Sequence, residues 1–182
     1  MKIYLAGGIS GNLKPLWNDF GKGRKDAVKL YLAGAEHGLS EYINKDLYNF
    51  AEQIYILETF YYMTPNAKKL IPLFKDFLLD SGAFTFMQNQ KGNVNWNDYI
   101  ESYADFINKN KISKFFELDI DSVVGYKEVL KYRKILEKLT NKQTIPVWHT
   151  SRGYKEFLRM CDEYNYICNY RSKNGKILSN DG

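Results

Sequence analysis

The stretch FLLDSGAF, residues 77–84, indicates both how this chain folds and where its chemistry lies. Its first three residues are apolar without polar alternation, as in a strand buried on both faces of a parallel sheet. Asp80 ends that strand, and Ser81 and Gly82 lead through small residues to the ring of Phe84. Ligands of parallel α/β proteins meet the loops beyond the carboxyl ends of strands. The stretch therefore predicts a carboxylate, exposed backbone amides and a stacking face in one place, where a planar ligand fits.

A structural interpretation of the same loop stays open at this point. Asp80 and Ser81 could satisfy loop amides, Gly82 could simply turn the chain, and Phe84 could pack into the core.

Two later segments repeat the pattern of an apolar strand that ends in a polar residue. Residues 114–121, KFFELDID, end in Asp119 and Asp121, and residues 144–149, TIPVWH, end in His149. We therefore expect Asp80, Asp119, Asp121 and His149 at one rim of the sheet. An N-cap role for Asp121 and a loop hydrogen bond for His149 are the structural alternatives. Glu117 shares the face of Asp119, either inside the fold or paired with a lysine.

Strands and helices alternate along the chain, which favours an α/β fold built of parallel βα units. The predicted strands are 2–6, 30–34, 77–79, 114–121, 144–149 and 164–168, and the predicted helices are 66–74, 97–107, 126–139 and 154–161. Residues 46–63 alternate aromatics and acids with helical spacing. These elements predict an incomplete parallel (β/α) barrel of the TIM type, with about six βα units, as one domain over residues 1–168. Residues 169–182 read as a polar, disordered tail.

Composition limits the class of protein. The 182 residues suffice for one well-buried domain, and 26 Lys and Arg against 21 Asp and Glu give a net charge of +5. That charge permits contact with a phosphate backbone without requiring it. The two cysteines fit neither a disulfide framework nor a zinc motif, and no segment resembles a signal peptide or a membrane span. We therefore expect a soluble, cytoplasmic protein that does not contact membranes.

The segment LDSGAF, residues 79–84, resembles the Asp-Ser-Gly-Gly-Phe/Tyr motif of tRNA-guanine (queuine) transglycosylases. It also resembles that motif in the small phage and bacterial relatives that put 7-deazaguanine bases into DNA. The segments at 116–121 and 145–149 are similar to those of such small members. The resemblance implies base exchange at the glycosidic carbon of tRNA or DNA, with guanine or a 7-deazaguanine as the base and without a cofactor.

Residue roles follow from the same resemblance. Asp80 matches the general acid/base, Phe84 matches the aromatic that stacks the base, and Asp119 or Asp121 matches the acid that binds the base edge. Ser81, Gly82 and His149 complete the expected substrate-binding set, and no metal ligand is expected.

The chain also departs from this family. Ala83 stands where the family has a second glycine, and neither the later strand with the nucleophilic aspartate nor the zinc site is present. The resemblance therefore implies a C-terminally truncated member, in which a homo-oligomer could close the barrel.

Three alternatives remain open. Residues 2–7, KIYLAG, resemble the opening of nucleoside deoxyribosyltransferases, which act on free nucleosides in a flavodoxin-like fold. Asp119, Asp121 and His149 could instead bind the metal of a hydrolase. The chain could also be a binding module that retains a base site without turnover.

Overall fold

The computed structural model describes residues 4–8, 29–33, 54–89 and 94–169, which form an α/β arrangement of parallel strands and helices. The strands are β1 (Tyr4–Gly8), β2 (Lys29–Ala33), β3 (Tyr55–Thr59), β4 (Asp76–Asp80), β5 (Val147–Trp148) and β6 (Cys168–Asn169). The helices are α1 (Pro65–Leu70), α2 (Ala83–Asn89), α3 (Trp96–Lys109), α4 (Asp121–Val124), α5 (Tyr126–Thr140) and α6 (Tyr154–Glu163). Short 3-10 turns cover Phe60–Tyr62, Ile71–Leu73 and Thr150–Arg152.

Neighbouring strands follow the order of the chain. β1, β2, β3 and β4 form a parallel sheet in that order, and β5 pairs in parallel with β6. Isolated parallel bridges, Leu79 with Phe115 and Phe116 with Ile145, connect the two sheets. Because all these pairings are parallel, the carboxyl ends of the strands lie along one edge.

The predicted TIM-type barrel of about six βα units is wrong. Four strands make one sheet and two strands make another, and single bridges join them where the sequence predicts a long strand over residues 114–121. Among the described residues, no pairing joins β6 to β1, so the sheet stays open. Closure needs about eight tilted strands, more than these elements supply. The homo-oligomer inferred from the same pattern stays a prediction.

The helix on which the core depends is α3, which has an apolar face at helical spacing. Asn95 caps it by accepting hydrogen bonds from the amides of Asn97 and Asp98. Ile100, Tyr103 and other members of the face are buried against β4 and α5. The buried core consists mainly of Ile56, Leu79, Ile100, Tyr103, Ile107, Phe115, Leu118, Val129 and Leu136.

Other predicted elements differ in their limits. The aromatic and acidic alternation of residues 46–63 has a helical spacing, yet Tyr55–Thr59 form strand β3 with alternate residues buried. The last predicted strand, 164–168, is reduced to the pair Cys168–Asn169, so Asn169 belongs to the sheet and not to the predicted tail. The remainder of that tail, residues 170–182, lies outside the described residues, as do residues 46–53.

No helix in the described part of the chain combines the length and the apolar character needed to cross a membrane.

Candidate active site

The carboxyl edge of the sheet brings together residues that are far apart in the sequence. Asp80 ends β4, Asp119 follows the bridge residue Phe116, and His149 follows β5. Nε2 of His149 lies 2.7 Å from Oδ1 of Asp119, at hydrogen-bond distance. The charge of Asp119 also acts on Asp80. Of the four residues predicted at one rim, Asp119 and His149 are thus in direct contact, and Asp80 lies near enough to feel the charge of Asp119.

Asp80 is a half-buried carboxyl group at this edge. Burial raises its pKa above the ordinary value of 3.8, and the negative charge of Asp119 raises it further. Hydrogen bonds from the amides of Gly82 and Ser81 and from the Thr59 hydroxyl act in the opposite direction but do not cancel the effect of burial. Asp80 can therefore hold a proton at a higher pH than an exposed aspartate.

The loop after β4 is fixed by hydrogen bonds from within the protein. Ser81 is only 2% exposed, and its Oγ accepts a hydrogen bond from the Ala83 amide at 3.4 Å. The Tyr99 hydroxyl donates to the Ser81 carbonyl at 2.5 Å. The Ser81 side chain thus supports the start of α2, which is the structural role left open by the sequence.

Gly82 is required by its conformation and its surroundings. Its φ is +65°, and a Cβ at this position would lie 2.6 Å from Cβ of Tyr61 and 2.7 Å from Cγ2 of Thr59. Phe84, two residues later, is 49% exposed in the first turn of α2. Its side chain is not buried in the core, so about half of its surface is accessible.

Arg152 is a buried arginine that was not predicted from the sequence, and it contacts three acids at this edge. Nε of Arg152 lies 2.8 Å from Oδ2 of Asp121, Nη2 lies 3.2 Å from Oδ1 of Asp119, and Nη1 lies 2.9 Å from Oε1 of Glu117. Nη1 also donates to the Val147 carbonyl. The Arg152 side chain is 1% exposed, and its guanidinium binds one fully buried carboxylate, Glu117, and two partly exposed ones, Asp119 and Asp121.

Asp121 is the first residue of α4, and Ile120 occupies the N-cap position. The N-cap role considered for Asp121 is therefore wrong, because its carboxylate binds Arg152 instead.

Glu117 is the fully buried acid of this cluster. Its Oε2 lies 2.7 Å from Nε of Arg133, its Oε1 lies 2.9 Å from Nη1 of Arg152, and the Val147 amide donates to Oε1 at 2.8 Å. Glu117 therefore lies inside the fold, and its partners are arginines where the sequence suggested a lysine. A carboxylate that lies between apolar residues of a buried segment requires a positively charged partner. The position of Glu117 in the sequence could therefore have indicated that an arginine binds it.

Asp119, Asp121 and His149 do lie together, with one potential ligand atom from each within 4.8 Å of the others. However, Arg152 donates hydrogen bonds to both acids of this group. Arg152 thus supplies one positive charge to this pair of carboxylates.

Cys168 borders the same edge. Burial raises the pKa of its thiol to about 11, and the negative charges of Asp119, Asp80 and Glu117 contribute to that shift. The thiol is therefore protonated at neutral pH and is a poor nucleophile.

Comparisons with protein-family models, with curated proteins and with solved structures found no match for this chain. The transglycosylase resemblance thus depends on the motif residues of the sequence alone.

Proposed function

We propose that this chain exchanges guanine or a 7-deazaguanine at an N-glycosidic bond, with tRNA or DNA as the substrate. The observation that carries this proposal is Asp80, a half-buried carboxyl group whose pKa is raised by burial, at the same edge as the hydrogen-bonded Asp119 and His149. Two carboxyl groups in different environments at one edge can take different roles in proton transfer.

Asp80 suits the proton transfer that base exchange needs. When the glycosidic bond breaks, the purine leaves with the bonding electron pair and takes a proton from the Asp80 carboxyl group, and the sugar is left as an oxocarbenium ion at C1′. The entering base bonds to C1′ and gives its ring N–H proton to the Asp80 carboxylate. The proton on Asp80 is thus restored, and the net reaction replaces one base by another.

The remaining groups suit recognition of a planar base. The Asp119 side chain is 32% exposed, so its carboxylate can accept N–H donors of a guanine edge. His149 lies beside it with 20% of its side chain exposed. The exposed ring of Phe84 provides a surface for stacking a base.

Incorporation of radiolabelled guanine tests the proposal. Wild type, Asp80→Asn and the control Asp105→Asn are each incubated with labelled guanine and tRNA, duplex DNA or free nucleosides. Asp105 is an exposed carboxylate of α3, so its loss controls for a simple change of charge. We expect label in tRNA or DNA with wild type and Asp105→Asn and at least 100-fold less with Asp80→Asn, since acid–base catalysis contributes about 10²–10⁴-fold.

Each other outcome has a definite meaning. Label in free nucleosides alone favours a nucleoside deoxyribosyltransferase-like activity. Binding of guanine without incorporation favours a non-catalytic module. Equal incorporation by wild type and Asp80→Asn contradicts the proposal.

A metal-dependent hydrolase is the second candidate, because potential ligand atoms of Asp119, Asp121 and His149 lie within 4.8 Å of one another. Arg152 weighs against it, since its guanidinium is bonded to both acids. Hydrolysis of a nucleotide substrate that is abolished by a chelator and restored by a divalent metal would favour this candidate.

A further inference from the structure

We propose that the guanidinium of Arg152 takes the place that a divalent metal ion would otherwise occupy at Asp119 and Asp121. By binding Asp119, Arg152 also positions the Asp119–His149 pair. The positioning role depends on the proposed function, whereas the exclusion of metal does not.

The guanidinium of Arg152 contacts three carboxylates, a backbone carbonyl and an aromatic ring. Its nitrogens contact the carboxylates of Glu117, Asp119 and Asp121 at 2.9, 3.2 and 2.8 Å, and Nη1 also donates to a backbone carbonyl. Its Cζ lies 4.4 Å from the centre of the Tyr126 ring. A planar fork with this many fixed contacts cannot move aside without breaking several charge-assisted hydrogen bonds.

The position of the guanidinium matters for metal binding. A divalent ion binds carboxylate oxygens at about 2.0–2.6 Å. An ion between Asp119 and Asp121 would bind the same two carboxylates that Nε and Nη2 of Arg152 already contact. Two positive centres at such short range repel each other. Native Arg152 therefore opposes the metal site that the three side chains would otherwise make.

The same contacts explain the positioning role. Oδ1 of Asp119 is the atom that both Nε2 of His149 and Nη2 of Arg152 approach. Arg152 thus fixes the oxygen to which His149 is hydrogen bonded. Arg152 itself is 1% exposed and acts through Asp119, which makes it a positioning residue and not a catalytic one.

Binding of Co²⁺ alone, followed by visible absorbance and by isothermal titration calorimetry, tests the exclusion of metal. The variants are Arg152→Met, Arg152→Met with Asp119→Asn, and the control Arg159→Met, which removes an arginine of α6 that is 38% exposed. We expect at least 10-fold tighter Co²⁺ binding in Arg152→Met than in wild type. We also expect the gain to disappear in the double variant and to be absent in Arg159→Met. A folded Arg152→Met protein with the Co²⁺ affinity of wild type overturns the proposal.

A measurement on wild type keeps the test decisive if Arg152→Met does not fold. We expect the His149 imidazole signals in NMR spectra to remain sharp when Co²⁺ is added, because Arg152 excludes the ion. Paramagnetic broadening of His149 that is lost in Asp119→Asn overturns the proposal.

Kinetics of guanine exchange test the positioning role. Arg152→Lys keeps one positive charge but cannot contact three carboxylates at once. We expect kcat to fall at least 10-fold while KM changes less than 3-fold, and unchanged kcat contradicts the role. If wild type shows no exchange, the proposed function fails while the Co²⁺ result still decides the exclusion of metal.

Discussion

Nε2 of His149 lies 2.7 Å from Oδ1 of Asp119, and this hydrogen bond joins residues that follow two neighbouring segments of the parallel sheet. The pair exists because Phe116 and Ile145 form a parallel bridge, which brings the chain beyond each of them to the same edge. This single bridge thus brings Asp119 and His149 to the same edge, which the sequence predicts a longer strand would do.

Asp80 makes the stability of the fold fall as the pH rises. Its pKa is raised in the folded protein, chiefly by burial, so folded protein binds this proton more tightly than the unfolded chain does. Its stabilising contribution is complete below the ordinary value of 3.8 and is lost as the pH rises through the raised pKa. We expect Asp80→Asn to lack this loss, as urea unfolding over a pH series measures. Parallel pH profiles for Asp80→Asn and wild type would contradict the assignment.

Glu117 is expected to be the acid on which folding depends most. Replacing it by Gln leaves the buried guanidinium of Arg133 without its partner, and losing one partner of a buried ion pair costs about 3–5 kcal/mol. The control Glu128→Gln breaks the exposed pair with Lys131 and should cost less than about 1 kcal/mol. Urea unfolding measures both, and similar losses in the two variants would show that the buried network contributes little.

Gly82→Ala tests the packing of the loop after β4. The new Cβ would lie 2.6 Å from Cβ of Tyr61, so we expect about 1–3 kcal/mol of overpacking beyond the strain of a positive φ. Gly125→Ala is the matched control, because Gly125 also has a positive φ but has no atom within 4 Å of a Cβ. Thermal or urea unfolding should show the larger loss for Gly82→Ala, and the reverse order would refute the packing argument.

Phe84→Ala tests the stacking surface. We expect guanine binding to weaken by about 1–3 kcal/mol, the scale of one base–aromatic stack. The free energy of unfolding should change by less than about 0.5 kcal/mol, because Phe84 is 49% exposed. Tyr154→Ala removes an exposed ring of α6 and should leave guanine binding unchanged. Calorimetric titration with guanine measures the difference, and equal affinities of Phe84→Ala and wild type would exclude Phe84 from the site.

The helices could be predicted closely because their signal is local. α5 begins at the predicted Tyr126 and α6 at the predicted Tyr154, where apolar residues recur at helical spacing. Strand β4 was likewise evident as an apolar run that ends at Asp80. Strand β3 was missed because aromatic and acidic residues before and within Tyr55–Thr59 mimic a helical period.

The site could be predicted in part, for the same physical reason. Asp80, Asp119 and His149 end apolar segments, and parallel pairing brings such ends together. Arg152 could not be found in this way, because it lies in a 3-10 turn and its partners are set by tertiary contacts with Glu117 and Asp121. The sequence also did not predict that the sheet is open among the described residues. An apolar run does not show how many of its residues pair with the neighbouring strand.

A base site at the carboxyl edge of the sheet is tested most directly by following the backbone amide signals of the protein in NMR spectra as guanine is added. We expect shifts concentrated at residues 80–84, 119–121 and 149–152, and we expect these shifts to be lost in Asp119→Asn. Shifts confined to other parts of the chain, or no shifts at millimolar guanine, would contradict a base site at the carboxyl edge of the sheet.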